Sequence, residues 1–314
     1  MTLKDHPTLA YWVIFLGVCG HASSEFFAVL SGVAGPEVSV WRYTLGSFGL
    51  VVIALLSPQS RDLWTPIKAE WRRLLSLGLF GISVTYLAFH WALDFATVIQ
   101  VGTFVTTMPI FIGLINARIN RTPMGMPKII SGGCAVVGIG LLLTDGVLAH
   151  LAGSGQQMIG LALVFVCAFF GSAYAVLAKP LINTYGVIRI TTITLSIGGV
   201  GLWLIVGAMW GRWVNPATIF AMPETARWSL LTLALFNTTI TQILFFGGLA
   251  AVPDITRGGY LFFLKPVITA VLALAFLSQP ITWIQALAIV AIVGSVGAEV
   301  LVSKYMNKGV TGQA

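Results

Sequence analysis

Charged side chains are scarce in this chain of 314 residues. Asp, Glu, Lys and Arg make up 9% of the residues, whereas 57% are hydrophobic, and the mean hydropathy is +0.94. A soluble domain carries about 25% charged residues, so the composition excludes a soluble protein. We therefore expect nearly every segment to be a helix that spans a membrane, because a helix satisfies its own backbone polar groups inside lipid.

Cysteines and catalytic motifs are few as well. Cys19, Cys134 and Cys167 all lie within apolar runs, without a CxxC pair or a histidine cluster. This pattern predicts buried thiols and neither a disulfide framework nor a metal site. No HExxH, GxSxG or Walker A motif occurs. We therefore expect no cofactor and no ATP-driven process within this chain, and an intramembrane enzyme would need a catalytic constellation that the sequence does not display.

Apolar runs separated by Gly, Pro and charged residues predict an all-α membrane protein with ten spans. Residues 1–145 form one predicted unit of five helices and residues 158–302 a second, joined by a Gly-rich linker at 146–157 and followed by a tail at 303–314. The predicted spans are 10–32, 37–57, 73–93, 96–117, 126–145, 158–178, 188–210, 227–249, 255–277 and 281–302.

The basic residues indicate the orientation of these spans. Only Arg212 and Arg227 lie in the loops of one side, and Arg42 and Lys265 lie within spans. Because Lys and Arg are enriched in cytoplasmic loops, we expect cytoplasmic termini and a periplasmic linker. The net charge of +7 is spread over short loops, which favours this explanation over nucleic-acid binding. The opposite side holds thirteen of the 17 basic residues: Lys4, Arg61, Lys68, Arg72, Arg73, Arg118, Arg121, Lys128, Lys179, Arg189, Arg257, Lys304 and Lys308.

One spacing of glycine and proline occurs twice in the chain. An odd number of spans in each half makes the second half enter the membrane from the opposite side, so the repeats are predicted to be inverted around a central cavity. A duplicated scaffold without transport is the alternative. The prolines within the fourth and ninth spans are predicted helix breaks. The matching positions, 157 residues apart, are Gly102, Pro109 and Pro123, then Gly259, Pro266 and Pro280.

Further residues carry a family resemblance. They are Trp41, Arg42, Pro109, Gly138 and Gly140 in the first half, and Ala175, Val176, Leu177, Lys179, Pro266, Pro280, Gly294 and Gly297 in the second. With these patterns the chain resembles the EamA-type drug/metabolite transporter (DMT) superfamily, and within it bacterial amino-acid and metabolite exporters, including aromatic amino-acid exporters. Where that family often has Glu before the last helix of each repeat, this chain has Thr122 and Gln279.

The resemblance implies a function as well as a fold. It implies a secondary active transporter of the bacterial inner membrane, surrounded by lipid, that exports amino acids or related small metabolites by alternating access. Substrate or proton gradients would drive it, so proton coupling is one expectation. An intramembrane enzyme, or a channel or passive scaffold without coupled transport, is the alternative.

Lys265 is the first candidate for the substrate site. It directly precedes Pro266 and lies roughly 15 Å from either end of its span at 1.5 Å per residue, too deep to reach an interface easily. A charge inside the membrane is costly and marks a functional site by default. We therefore expect Lys265 to face the cavity and to recognise an anionic group, with Tyr260 and Phe263 as candidate aromatic walls.

A second charged group lies in the first two spans. His21 and Glu25 are four residues apart and share one helix face, while Arg42 in the second span falls at about the depth of Glu25. Glu25 and Arg42 are therefore candidates for a structural ion pair. Alternatively, Glu25 binds a substrate amine or a proton, with His21 as a titratable neighbour.

Uncharged polar residues within the spans complete the candidate site. Such groups either line a wet cavity or hold helices together through hydrogen bonds. His90 in the third span is expected to face the cavity. The other candidates are Gln100, Thr103 and Thr107 in the fourth span and Asn237, Thr241 and Gln242 in the eighth.

Overall fold

A computed structural model describes residues 3–96, 101, 104–121, 125–144, 155–277, 282–284, 286–295 and 298. Every regular element in these ranges is a helix, which confirms the all-α class. The α-helices are α1 (Pro7–Ala22), α2 (Ser24–Leu30), α3 (Gly35–Leu56), α4 (Trp64–Ser76), α5 (Thr85–Ala92), α6 (Met108–Asn120), α7 (Met126–Thr144), α8 (Gly155–Tyr185), α9 (Val187–Trp210), α10 (Glu224–Leu231), α11 (Thr241–Ala251), α12 (Ile255–Tyr260), α13 (Lys265–Leu277) and α14 (Ala286–Ser295).

Seven helices in the described part of the chain are long and apolar enough to cross a membrane. The predicted fourth, fifth and tenth spans correspond to α6, α7 and α14, which are not among these seven, so the count of ten stays a prediction. Residues 146–154 of the predicted linker and the whole 303–314 tail lie outside the described residues. The last three residues of the predicted linker, 155–157, belong to α8 instead. The seven long spans are Pro7–Leu30, Gly35–Leu56, Trp64–Ala92, Met158–Tyr185, Val187–Trp210, Glu224–Ala251 and Ile255–Leu272.

Two of the helices extend beyond their predicted ends. The third span begins at Trp64 instead of residue 73, because the amphipathic α4, which is kinked at Glu70, leads directly into the apolar segment. The sixth span passes through Pro180 and ends at Tyr185, and the Lys179 Nζ donates to the carbonyl of Val252 at 2.8 Å. The predicted ends are too short because hydropathy shows where a helix leaves the apolar core, and a helix can continue beyond that point.

Glycines allow helices from the two halves of the chain to pack closely. A Cβ atom added at Gly17 would lie 2.9 Å from backbone and Cβ atoms of Phe245, and one at Gly248 would lie 2.6 Å from Ile14. Within lipid, helices associate through such close contacts because small residues let backbones approach. The first span is therefore held directly against the eighth.

Contacts between the helices come in matched pairs. The first span packs on α11 in the eighth, and α5 in the third packs on α8 in the sixth. Likewise, α3 packs on the segment 232–240, and α9 packs on the segment 77–84. Each of these four contacts thus has a counterpart with the roles of the halves exchanged.

Irregular backbone also recurs at corresponding places. The third and eighth spans contain π-helical segments, Leu77–Val84 and Thr232–Ile240. A 3₁₀ turn precedes α6 at Val105–Thr107, and another precedes α13 at Leu261–Leu264. Pro109 and Pro266 are each the second residue of the α-helix that follows, where a missing backbone donor costs little.

The close contact at Gly17 makes a stability prediction. Gly17→Ala places a Cβ against the Phe245 backbone, which cannot move aside as a flexible side chain can, so the substitution is expected to cost about 1–3 kcal/mol. Thermal unfolding in detergent should show a lower Tm.

The matched control is Gly133→Ala, in α7, where nothing lies within 4 Å of the added Cβ. Its Tm should be unchanged or slightly raised, because Ala favours a helix over Gly. Equal Tm values for the two variants would contradict the packing described here.

Candidate functional site

A buried ion pair joins the two halves of the chain. Nζ of Lys265, the first residue of α13, donates to Oε1 of Glu25 in α2, and their side chains are only 3% and 2% exposed. Ser24 Oγ donates to the second carboxylate oxygen at 3.3 Å, and the ammonium lies 5.4 and 5.6 Å from the ring centroids of Phe89 and Phe262. Each charge is therefore neutralised by the other in an aromatic surrounding.

Arg42, the predicted partner of Glu25, binds elsewhere. Its Nε donates to Thr238 Oγ1 at 2.8 Å, and Nη2 donates to the Asn237 carbonyl at 3.2 Å. The predicted Glu25–Arg42 pairing is thus replaced by the pairing with Lys265. Helical rise estimates how deep a residue lies but not its direction around the bundle, and Lys265 approaches Glu25 from the second half.

The bonds of His90 specify its protonation. Its Nε2 lies 3.4 Å from Arg42 Nη1, and since guanidinium nitrogens only donate, Nε2 must accept. Nδ1 then carries the proton and donates to the Tyr86 carbonyl at 2.9 Å. His90 is therefore neutral, fully buried and fixed behind Arg42, whereas the sequence analysis expected it to face the cavity.

A narrow cavity of about 30 Å³ lies at this site. One water needs roughly 10–15 Å³, so the cavity has room for about two or three waters and is too small for a metabolite. Helices of both halves form its walls, and five of its side chains are Phe or Tyr. The lining residues are His21, Ser24, Arg42, Thr85, Tyr86, Phe89, Val105, Met108, Cys167, Phe245, Phe246, Phe262 and Lys265.

The charges at the cavity do not cancel completely. Glu25 neutralises Lys265, but within the described ranges no carboxylate lies at salt-bridge distance from Arg42. Its donors meet a hydroxyl, a carbonyl and an imidazole. The site therefore carries one net positive charge, which favours the binding of an anionic group.

Of the predicted residues in the first and eighth spans, His21 lines the cavity and Asn237 makes contacts between helices. His21 lines the cavity between the rings of Phe245 and Phe262, at centroid distances of 5.1 and 5.6 Å. Asn237 Nδ2 donates to Ser23 Oγ at 2.8 Å and to the Gly20 carbonyl, where α1 gives way to α2. Asn237 thus stabilises the break in the first span.

The other predicted polar residues lie outside the cavity wall. Thr241 Oγ1 donates to the Phe236 carbonyl at 3.0 Å, and Gln242 Nε2 donates to Tyr86 Oη at 2.9 Å. Thr107 Oγ1 donates to the Phe104 carbonyl at 2.8 Å. These contacts favour helix packing over cavity lining. Gln100 and Thr103 lie outside the described residues.

Tyr260 also lies away from the cavity. It packs with Phe263 in a separate apolar cluster against α7 and α14, with Ala135, Ala288 and Ile292. The aromatic wall beside Lys265 is Phe262 instead.

Several residues that line the cavity were not predicted from the sequence. Met108 could have been predicted as a lining residue, because it lies 157 residues before Lys265, the same spacing that relates the matched glycines and prolines. Tyr86 and Phe89 precede His90 by four residues and one, and only the four-residue spacing suggests a shared face. The pair Phe245 and Phe246 carries no signal that separates it from lipid-facing aromatics.

Comparison with known proteins shows which family this chain belongs to. The sequence model of the EamA-like transporter family matches residues 8–144 and again residues 158–298. An uncharacterized transporter of Archaeoglobus fulgidus is 25% identical over 223 residues, which cover 70% of this chain and 72% of that protein. A crystal structure described only as that of a protein shares the fold, with a TM-score of 0.76 and 16% identity over 95% of this chain and 99% of its own. The chain is thus a multi-pass membrane transporter of small molecules and belongs to the EamA-like transporter family of the DMT superfamily.

Proposed function

We propose that this chain is a secondary active transporter that exports amino acids or related small metabolites across a bacterial inner membrane by alternating access. One observation carries the proposal: Glu25 and Lys265 form a buried ion pair, and its lysine lines a cavity whose walls come from both halves. Ionisable groups at such positions are retained for substrate or ion pathways because their burial is costly.

The proposal includes two inverted repeats of five helices, residues 1–145 and 158–302. The family model matches the chain twice with nearly these bounds, and the contacts and irregular segments of the two halves correspond. Transporters of this architecture hold substrate at the interface of the repeats and rock one repeat against the other. Breaks beside Glu25 and Lys265 provide the points at which the first and ninth spans bend.

Recognition is assigned to the charged groups at the cavity. Lys265 and Arg42 attract a carboxylate of the substrate, and Glu25 attracts its amine. The Phe and Tyr rings enclose the apolar remainder. Proton coupling is assigned to the same site, because a proton on Glu25 would release Lys265 from its partner, and His21 is a titratable residue of the cavity wall.

The small volume of the cavity favours a carrier over an open pore. A channel needs a continuous aqueous path, whereas this cavity has room for about two or three waters. A carrier closes around its site between its two open forms, so a narrow cavity between the halves is expected of it.

The proposed orientation has both termini in the cytoplasm and the 146–157 linker in the periplasm. After replacement of Cys19, Cys134 and Cys167 by Ala, a single cysteine at Gly153 should react with an impermeant maleimide added to intact cells. A cysteine at Gln59, in an exposed loop of the opposite side, should react only after permeabilisation. The reverse pattern would overturn the orientation.

Transport itself is tested by counterflow in proteoliposomes. We expect unlabelled amino acid on one side to accelerate entry of the labelled amino acid from the other. Lys265→Ala should raise the half-saturation concentration about tenfold or more, since a hydrogen bond to a charged group is worth about 1.5–3 kcal/mol, and Lys265→Arg should retain part of the binding.

Glu37→Gln is the matched control. Glu37 pairs with Arg212 at 2.8 Å and does not line the cavity, so this variant should behave as the wild type. Wild-type counterflow by Lys265→Ala with every amino acid would defeat the assigned role of Lys265. Absence of counterflow with any small solute would defeat the proposed function.

A further inference from the structure

We propose that the substrate is a zwitterion whose own ammonium and carboxylate replace the ion pair between Glu25 and Lys265. The inference rests on the proposed transport function and adds the charge pattern that the site selects. In the contracted cavity Glu25 and Lys265 bind each other. In the loaded cavity Glu25 binds the substrate ammonium and Lys265 binds the substrate carboxylate.

The burial of both partners makes this exchange necessary. Both side chains are almost inaccessible, and removal of one partner from a buried ion pair leaves the other charge unpaired at high cost. A solute with a single charge would bind one partner and leave the other charge unpaired. A zwitterion keeps every charge paired, and the net charge of the cavity does not change when it enters.

The positions of the two side chains suit a zwitterion with adjacent charges. Glu25 Oε1 and Lys265 Nζ are in direct contact, so a small separation opens a gap between two opposite charges. The ammonium and carboxylate of an α-amino acid sit on one carbon and can lie side by side in that gap. The rings of Phe89 and Phe262 flank the ammonium of Lys265 and exclude water from it.

Breaks in the backbone allow the separation. Glu25 lies in α2, a helix of seven residues that follows the interruption at Ser23. Lys265 begins α13 directly after the 3₁₀ turn Leu261–Leu264. Each charge therefore sits at the junction of two helical segments, where a small rotation moves the side chain without unfolding a long helix.

Arg42 has a different role in this scheme. Its bonds to Thr238, Asn237 and His90 hold it in place, so it is not displaced by the substrate. Its positive charge adds to the attraction for the carboxylate and directs that end of the substrate toward Lys265.

Matched solutes test the inference in the wild-type protein. Three sets are built on leucine, phenylalanine and threonine, each with the amino acid, the carboxylate that lacks the ammonium and the amine that lacks the carboxylate. Competition in counterflow gives the half-inhibitory concentration of each. At least one amino acid should bind on the order of 100-fold more tightly than both of its single-charge analogues, because each analogue leaves one buried partner unpaired.

Substitutions at the pair should then change the preference in opposite directions. Glu25→Gln leaves Lys265 unpaired and should favour the carboxylate analogue, whereas Lys265→Met leaves Glu25 unpaired and should favour the amine. The double variant carries neither charge and is tolerated because neutral groups can replace a buried pair. It should bind each amino acid and its carboxylate analogue within a few-fold of each other, and Arg42 should make both bind more tightly than the amine. Glu37→Gln should retain the wild-type preference.

The outcomes separate this inference from the function on which it rests. Counterflow of a carboxylate or an amine with no preference for any zwitterion would overturn the inference and leave transport intact. A double variant that still prefers the zwitterion over its carboxylate analogue would also overturn it, and this result does not depend on the folding of the single variants. Absence of counterflow with all solutes would contradict the transport function itself.

Discussion

The cost of a charge in a medium without water is the constraint on which this structure depends. Glu25 and Lys265 come from opposite halves of the chain and meet because neither is stable alone at that depth. Their contact holds the first span against the ninth, while glycines hold the first span against the eighth. The site that we propose for the substrate is therefore also an attachment between the halves, so a solute that binds there changes how firmly the halves are joined.

A second polar network keeps the surroundings of this pair fixed. Arg42 is bound by three groups from the third and eighth spans, and Asn237 bonds to the break in the first span. Most polar residues of the eighth span thus serve helix contacts rather than the cavity wall. The pair between Glu25 and Lys265 lies beside this network and is the contact that we propose a zwitterionic substrate replaces.

Composition and periodicity predicted the helical class and most long spans, because hydropathy and helix length follow directly from the thickness of the membrane. The position of Lys265 was predictable for the same reason. Its partner was not, since depth along a helix does not give direction around the bundle. The aromatic wall was misplaced because the prediction used nearness in sequence: Tyr260 and Phe263 lie five and two residues before Lys265 and pack elsewhere, whereas Phe262, three residues before it, shares its face.

The central claim, that one cavity between the halves opens alternately to either side around this ion pair, is tested most directly at Cys167. This thiol lines the cavity and is buried, and replacement of Cys19 and Cys134 by Ala leaves it as the only cysteine. Its reaction with a small impermeant thiol reagent is measured in membrane vesicles of both orientations. The account predicts slow reaction from each side and protection by the transported solute. Reaction from one side only, or a rate that the solute does not change, would contradict it.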